Sequence, residues 1–129
     1  TIGNIGRQYQ RHFLDLNGLG IRELCWDKNH DSLLILAGPT MDLDGTHSLF
    51  RLNNPLMLED NSLSSQKNQQ LKYLGDIPHG DRQDRAEGLT LDEENKSILV
   101  VYDSPAKARL ISADRDPAIG VYADIFQIE

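Results

Sequence analysis

The chain has 129 residues, a formal net charge of −7 and an isoelectric point near 5.0. That length holds one domain with a modest core. The acidity argues against nucleic acid or an anionic membrane as partner, because both demand clustered Lys and Arg. No apolar run approaches the ~20 residues of a helical membrane span, and no basic-then-apolar start suggests a signal peptide. The lone Cys25 allows neither an intrachain disulfide nor a zinc cluster, and slightly favours a reducing, cytoplasmic compartment.

Residues 1–9 are rich in Gly, Asn and Gln and read as an entry arm, opening on Thr1 rather than Met as a processed or excised chain would. Arg11–Leu16 alternates and predicts a strand, and Asn17-Gly18-Leu19-Gly20 a turn with positions tolerant of positive φ. Ile21–Trp26 alternates again, Asp27–Asp31 is a polar turn, and Ser32–Ala37 is a short apolar run of the kind covered on both faces. Gly38-Pro39 stops it. Asp42-Leu43-Asp44-Gly45-Thr46 is a tight loop, His47–Leu52 a third strand, and Asn53–Gln69 a polar excursion expected to be mobile or irregular. Leu71–Ile77 is a fourth strand, and His79–Arg85 is strongly charged. Ala86–Leu91, Ser97–Asp103 and Val121–Ile128 complete the strands, and no segment sustains a capped helical period.

The chain states part of this pattern twice. LCWDKNHDSLLILAGPT at 24–40 aligns without gaps on LTLDEENKSILVVYDSP at 89–105, at a constant offset of 65 residues. Leu24 falls on Leu89, Asp27 on Asp92 and Ser32 on Ser97. A period of this length, built from short strands, signals a propeller or solenoid. The expected fold is therefore all-β: one β domain over 1–129, holding about two four-stranded antiparallel blades of a β-propeller. Residues 10–77 would supply an outer strand plus the first unit, and 86–129 the second. A β-sandwich would use the same strand count. Leu24, Trp26, Leu33, Ile35, Leu89, Leu91, Leu99 and Val101 are expected in the core.

HFLDLNGLGIREL at 12–24, LLILAGPTMDLDG at 33–45, AEGLTLD with ILVVYDSP within 86–105, and the terminal YADIFQI resemble a bacterial family known as domain of unknown function 3616. The resemblance implies a β-propeller of which this chain matches the C-terminal part, and it brings no catalytic residue. The start Glu87-Gly88-Leu89 loosely resembles a blade opening of calcium-dependent propeller hydrolases of the gluconolactonase and phytase-like types. In those an acidic residue faces the central channel.

Glu23 and Glu87 open the two repeated strands, and Asp103 closes a buried one. In a channel these carboxylates could hold calcium, a hard cation that takes six to eight oxygens. The plainer reading pairs the two glutamates with Arg22, Arg82 or Arg85. Asp42 and Asp44 begin like a calcium loop but lack its remaining ligands, so a hairpin turn explains them better. His79 and Asp81 form a candidate acid–base or ligand-binding pair within a charged loop. His12, His30 and His47 lack metal spacing, and Ser104 lacks a nucleophile elbow. There is no Walker A, G-x-G-x-x-G or C-x-x-C motif. The expected function is a binding or scaffold module without a resident cofactor, with a calcium-assisted phosphoester or lactone hydrolase as the alternative. Unpaired strand edges at both ends are expected to make a homo-oligomer, Arg11–Leu16 of one copy adding to Val121–Ile128 of the next.

Overall fold

The computed structural model describes residues 9–40, 44–78, 84–112, 114 and 116–129. They form strands β1 (His12–Leu14), β2 (Gly20–Asp27), β3 (Ser32–Gly38), β4 (His47–Asn53), β5 (Ser62–Ser64), β6 (Leu71–Ile77), β7 (Arg85–Asp92), β8 (Ser97–Asp103), β9 (Leu110–Ile111), β10 (Gly120–Val121) and β11 (Asp124–Gln127). Short 3-10 turns at Lys28–His30, Pro55–Met57 and Lys107–Arg109 are the helical elements among the described residues. The fold is all-β.

Strands β2, β3, β4 and β6 make a four-stranded antiparallel sheet whose spatial order follows the chain, and β7, β8 and β11 make a three-stranded one. The second sheet thus has three strands. The offset of 65 carries into the backbone in detail. β7 begins and ends 65 residues after β2, and β8 does so after β3. Each hairpin shifts register at the same place, between Ile21 and Glu23 in one and between Ala86 and Gly88 in the other. Each turn closes on a left-handed residue, Asp31 at φ 44° and Lys96 at φ 48°.

Within the chain β1 pairs in parallel with β5, from within the polar excursion. The His12 imidazole sits between two serines of that strand, 2.8 Å from Ser64 Oγ and 3.0 Å from Ser62 Oγ. Asn68 holds the same excursion together, accepting from the Ser65 N–H and donating to the Leu63 carbonyl. Polar composition here satisfies the backbone locally, so the segment carries a strand and a 3-10 turn.

The core has two layers on either side of β3. Leu34 and Leu36 face the second sheet and pack with Leu49, Ile77, Ala86, Ile98, Val100 and Tyr102. Ile35 and Ala37 face the other way, with Leu16, Phe50, Leu52 and Leu71, under Leu14, Leu19 and Leu58. A strand buried on both faces reads as a continuous apolar run, which is why β3 lacks alternation. The expected core is corrected in part. Ile35 is buried, and Leu89 and Leu91 are partly buried against the inter-sheet layer. Leu24, Trp26, Leu99 and Val101 are exposed, at 46%, 41%, 37% and 42%. In β8 the inward residues are Ile98, Val100 and Tyr102, so the inward face is the opposite of the one chosen from the pattern.

Candidate functional site at one end of the paired sheets

At one end of both sheets the chain enters β2, β4 and β7 and leaves β3, β6 and β8. The register shifts in β2 and β7 also fall at this end, and such bulges re-aim side chains. Arg22 and Glu87 are the shifted residues, and their side chains meet: Arg22 Nη1 donates to Glu87 Oε1 at 3.3 Å. Arg22 Nη2 donates to the Pro39 carbonyl. Its Nε is buried and has no hydrogen-bond partner among the described residues.

Gly38 explains how Arg22 and His47 come together. A Cβ at position 38 would stand 2.5 Å from His47 Cδ2 and 3.3 Å from Arg22 Cγ. Only a hydrogen there lets the buried imidazole lie against the β3 backbone, with the arginine stem beside it. Nearby on the same end, Ser48 Oγ donates to Asp76 Oδ1 at 2.8 Å.

A second polar cluster ties the C-terminal strand to β8. Arg109 Nε donates to buried Asp84, 2.6 Å from Oδ1 and 2.7 Å from Oδ2, and Arg109 Nη1 lies 2.8 Å from Asp124 Oδ2. The guanidinium lies 3.6 Å over the Tyr102 ring. The Tyr102 hydroxyl donates to Asp124 Oδ2 at 2.7 Å, and the Ala106 N–H donates to Asp84 Oδ1. Burial and then the bond to Asp124 push the Tyr102 hydroxyl above the usual phenol range. Burial alone would lower the Arg109 pKa, but its bonds to Asp84 and Asp124 outweigh that and raise it. The groups satisfy one another, so the cluster is a latch holding fixed charges.

The residues singled out from sequence fare differently. Glu87 is engaged by Arg22. Glu23 Oε1 accepts the N–H of Leu24 at 2.9 Å, and Glu23 stands opposite Leu36 across the hairpin. At the offset of 65 its equivalent is Gly88, not Glu87; the equivalent of Glu87 is Arg22. Asp103 is exposed at the end of β8, opposite Arg85 in register. Asp44 is exposed, whereas Asp42, His79 and Asp81 lie outside the described residues. Among the described residues no group of three or more His, Cys, Asp or Glu could hold a metal ion. Sequence reasoning named Arg22 as a pairing partner of the glutamates, as it is for Glu87, weighed His47 only as a metal ligand, and passed over the Asp84–Arg109–Tyr102–Asp124 latch. Only Arg22 left a signal, its position 65 residues before Glu87.

The class is an all-β protein of stacked antiparallel sheets. A family model described as Protein of unknown function (DUF3616) matches residues 1–124, and the chain belongs to that family. Neither a curated protein nor a solved structure matches the chain. Among the described residues no helix is long and apolar enough to cross a membrane.

Proposed function

We propose that the chain is a propeller-type binding module and that its ligand face is the end of the sheets carrying Arg22, His47 and Glu87. Propeller blades are meanders of four antiparallel strands set around a central channel. The chain-order sheet β2-β3-β4-β6 and the packing of β2 near β7 support that reading. The observation that carries the ligand face is the arginine itself. Arg22 is half-buried, fixed by Glu87 and the Pro39 carbonyl, and keeps one N–H donor without a partner among the described residues. A ligand offering an acceptor oxygen would complete it, since an unmade bond on a buried donor is costly.

The test is to follow the Arg22 Nε–Hε signal by NMR while titrating acetate, then inorganic phosphate. Saturable shifts at Arg22 and His47 that vanish in Arg22→Gln support the reading; shifts confined to other parts of the chain refute it. The calcium-assisted hydrolase finds no specific support, because the Glu87 carboxylate is already held by a guanidinium. Calcium titration separates the two: stabilisation by calcium that Glu87→Gln abolishes would favour the hydrolase.

A further inference from the structure

The two sheets are built on the same pattern, yet equivalent residues have different exposure. Leu34 and Leu36 of β3 are fully buried against the second sheet. Their equivalents 65 residues on, Leu99 and Val101 of β8, are 37% and 42% exposed. Ile125 lies opposite Leu99 in register and shares its face. Gly88 lies opposite Val101, where a Cβ would stand 2.3 Å from Val101 Cγ2, so the valine lies flat on the β7 backbone. The outer face of the second sheet is therefore an apolar surface of the type the first sheet buries.

The converse holds at the other side of the molecule. Leu89 and Leu91 of β7 pack against the inter-sheet core, whereas their equivalents Leu24 and Trp26 of β2 are exposed. They lie opposite Ile35 and Leu33, on the face that Leu14, Leu16 and Leu19 cover over β3 and β4. That cover stops short of β2. The chain thus exposes both halves of a junction that it also makes once internally, between its own two sheets. The charges match as well: Arg22 meets Glu87 inside the chain, and a repeated junction sets Glu87 of one copy beside Arg22 of the next.

We infer that the Leu99, Val101 and Ile125 face is a docking surface for the Leu24 and Trp26 face of a second copy of this chain. The contact is head to tail and heterologous, and it repeats the packing of the first sheet on the second. β1 already lies on the receiving face, so the β11 edge of the incoming sheet comes alongside it, the pairing expected of the strand edges.

Light scattering on the purified 129-residue chain tests this with two variants at exposed positions. Trp26→Asp removes one half of the junction and Val101→Asp the other. The wild type is expected at a multiple of 14.5 kDa, and each variant alone at that mass. Mixed in equal amounts, the variants are expected to form a dimer of twice that mass, because one intact junction remains between them. Misfolded variants could not regain association on mixing. A monomeric wild type overturns the inference, leaving the face to a different occupant. So does self-association of Trp26→Asp alone, which would mean a two-fold contact, and so does a mixture that stays monomeric.

Discussion

Arg22 and Glu87 stand 65 residues apart in the chain and 3.3 Å apart in space, at the same position of two strands built alike. Neighbouring copies of one pattern would ordinarily place like beside like. Here the bulge position carries a cation in one copy and an anion in the other, so juxtaposition becomes attraction.

Both side chains remain partly in water, at 22% and 38% exposure, so the pair contributes modestly. A double-mutant cycle with Arg22→Gln and Glu87→Gln is expected to give a coupling of about 0.2–1 kcal/mol. The coupling should shrink as salt is raised, since exposed pairs are screened. A coupling indifferent to salt would contradict the geometry described.

The ion pair between Asp27 and Arg51 behaves differently, because both groups are buried. Arg51 Nη2 lies 3.1 Å from Asp27 Oδ2, and Arg51 Nη1 donates to the Glu129 carbonyl. Arg51→Ala should cost up to about 3–5 kcal/mol, the cost of unpairing a buried charge, reduced by the contact that Asp27 Oδ2 keeps with His30 Nδ1 at 2.8 Å. Adding Asp27→Asn to it should recover part of the loss. Urea denaturation of the single and double variants measures both effects.

Core truncations should discriminate adjacent residues of β8. Ile98 is fully buried, and Ile98→Ala is expected to cost about 2–5 kcal/mol. Leu99, on the open face, should cost less than about 1 kcal/mol when copies are dissociated. Equal losses at the two positions would mean that the inward face had been assigned wrongly.

High pH should loosen the latch around Tyr102. Its folded-state pKa is raised above the unfolded value near 10, by burial and by the bond to Asp124. The folded state therefore keeps a proton that the unfolded state releases. The stabilisation is complete below pH ~10 and is lost progressively as pH rises above it. Thermal melts across that range should show the decline, and Tyr102→Phe should flatten it.

The left-handed turn residues are opportunities for stabilisation. Asp31 and Lys96 adopt φ of 44° and 48°, a conformation that costs a residue with a Cβ energy. Asp31→Gly or Lys96→Gly should gain up to about 1 kcal/mol, partly offset by the greater freedom of glycine in the unfolded chain. The urea midpoint should rise with an unchanged slope.

The strand positions were legible because the offset is a property of the sequence itself: LLILAGP and ILVVYDSP mark β3 and β8. Facing was legible only where one side is polar. β3 is apolar on both sides, so its pattern could not reveal which of Leu34 or Ile35 meets the second sheet; in β8 the choice of Leu99 and Val101, rather than the Ile98 and Val100 that correspond to Leu33 and Ile35 at the offset of 65, placed Leu99 inward when it points out. The site was less legible still. Matching glutamate to glutamate joined Glu23 with Glu87, but the bulges make Arg22 the true counterpart. His47 lies against the β3 backbone, on the side where the Arg22 stem also approaches, only because Gly38 lacks a side chain, and no spacing along the chain encodes that approach.

The packing of β2 near β7 also sets how the protein must come together in time. The hairpins β2–β3 and β7–β8 join residues near in sequence, so each closes a short loop and can form early. Docking them brings together positions such as Arg22 and Glu87, 65 residues apart, at a larger loop-closure entropy. Much of the apolar surface is buried only at that late step, because Leu34, Leu36, Ile98 and Val100 all lie between the sheets. The folding rate is therefore expected to be set by the meeting of the two sheets, and until they meet each carries an apolar face that any similar face can capture.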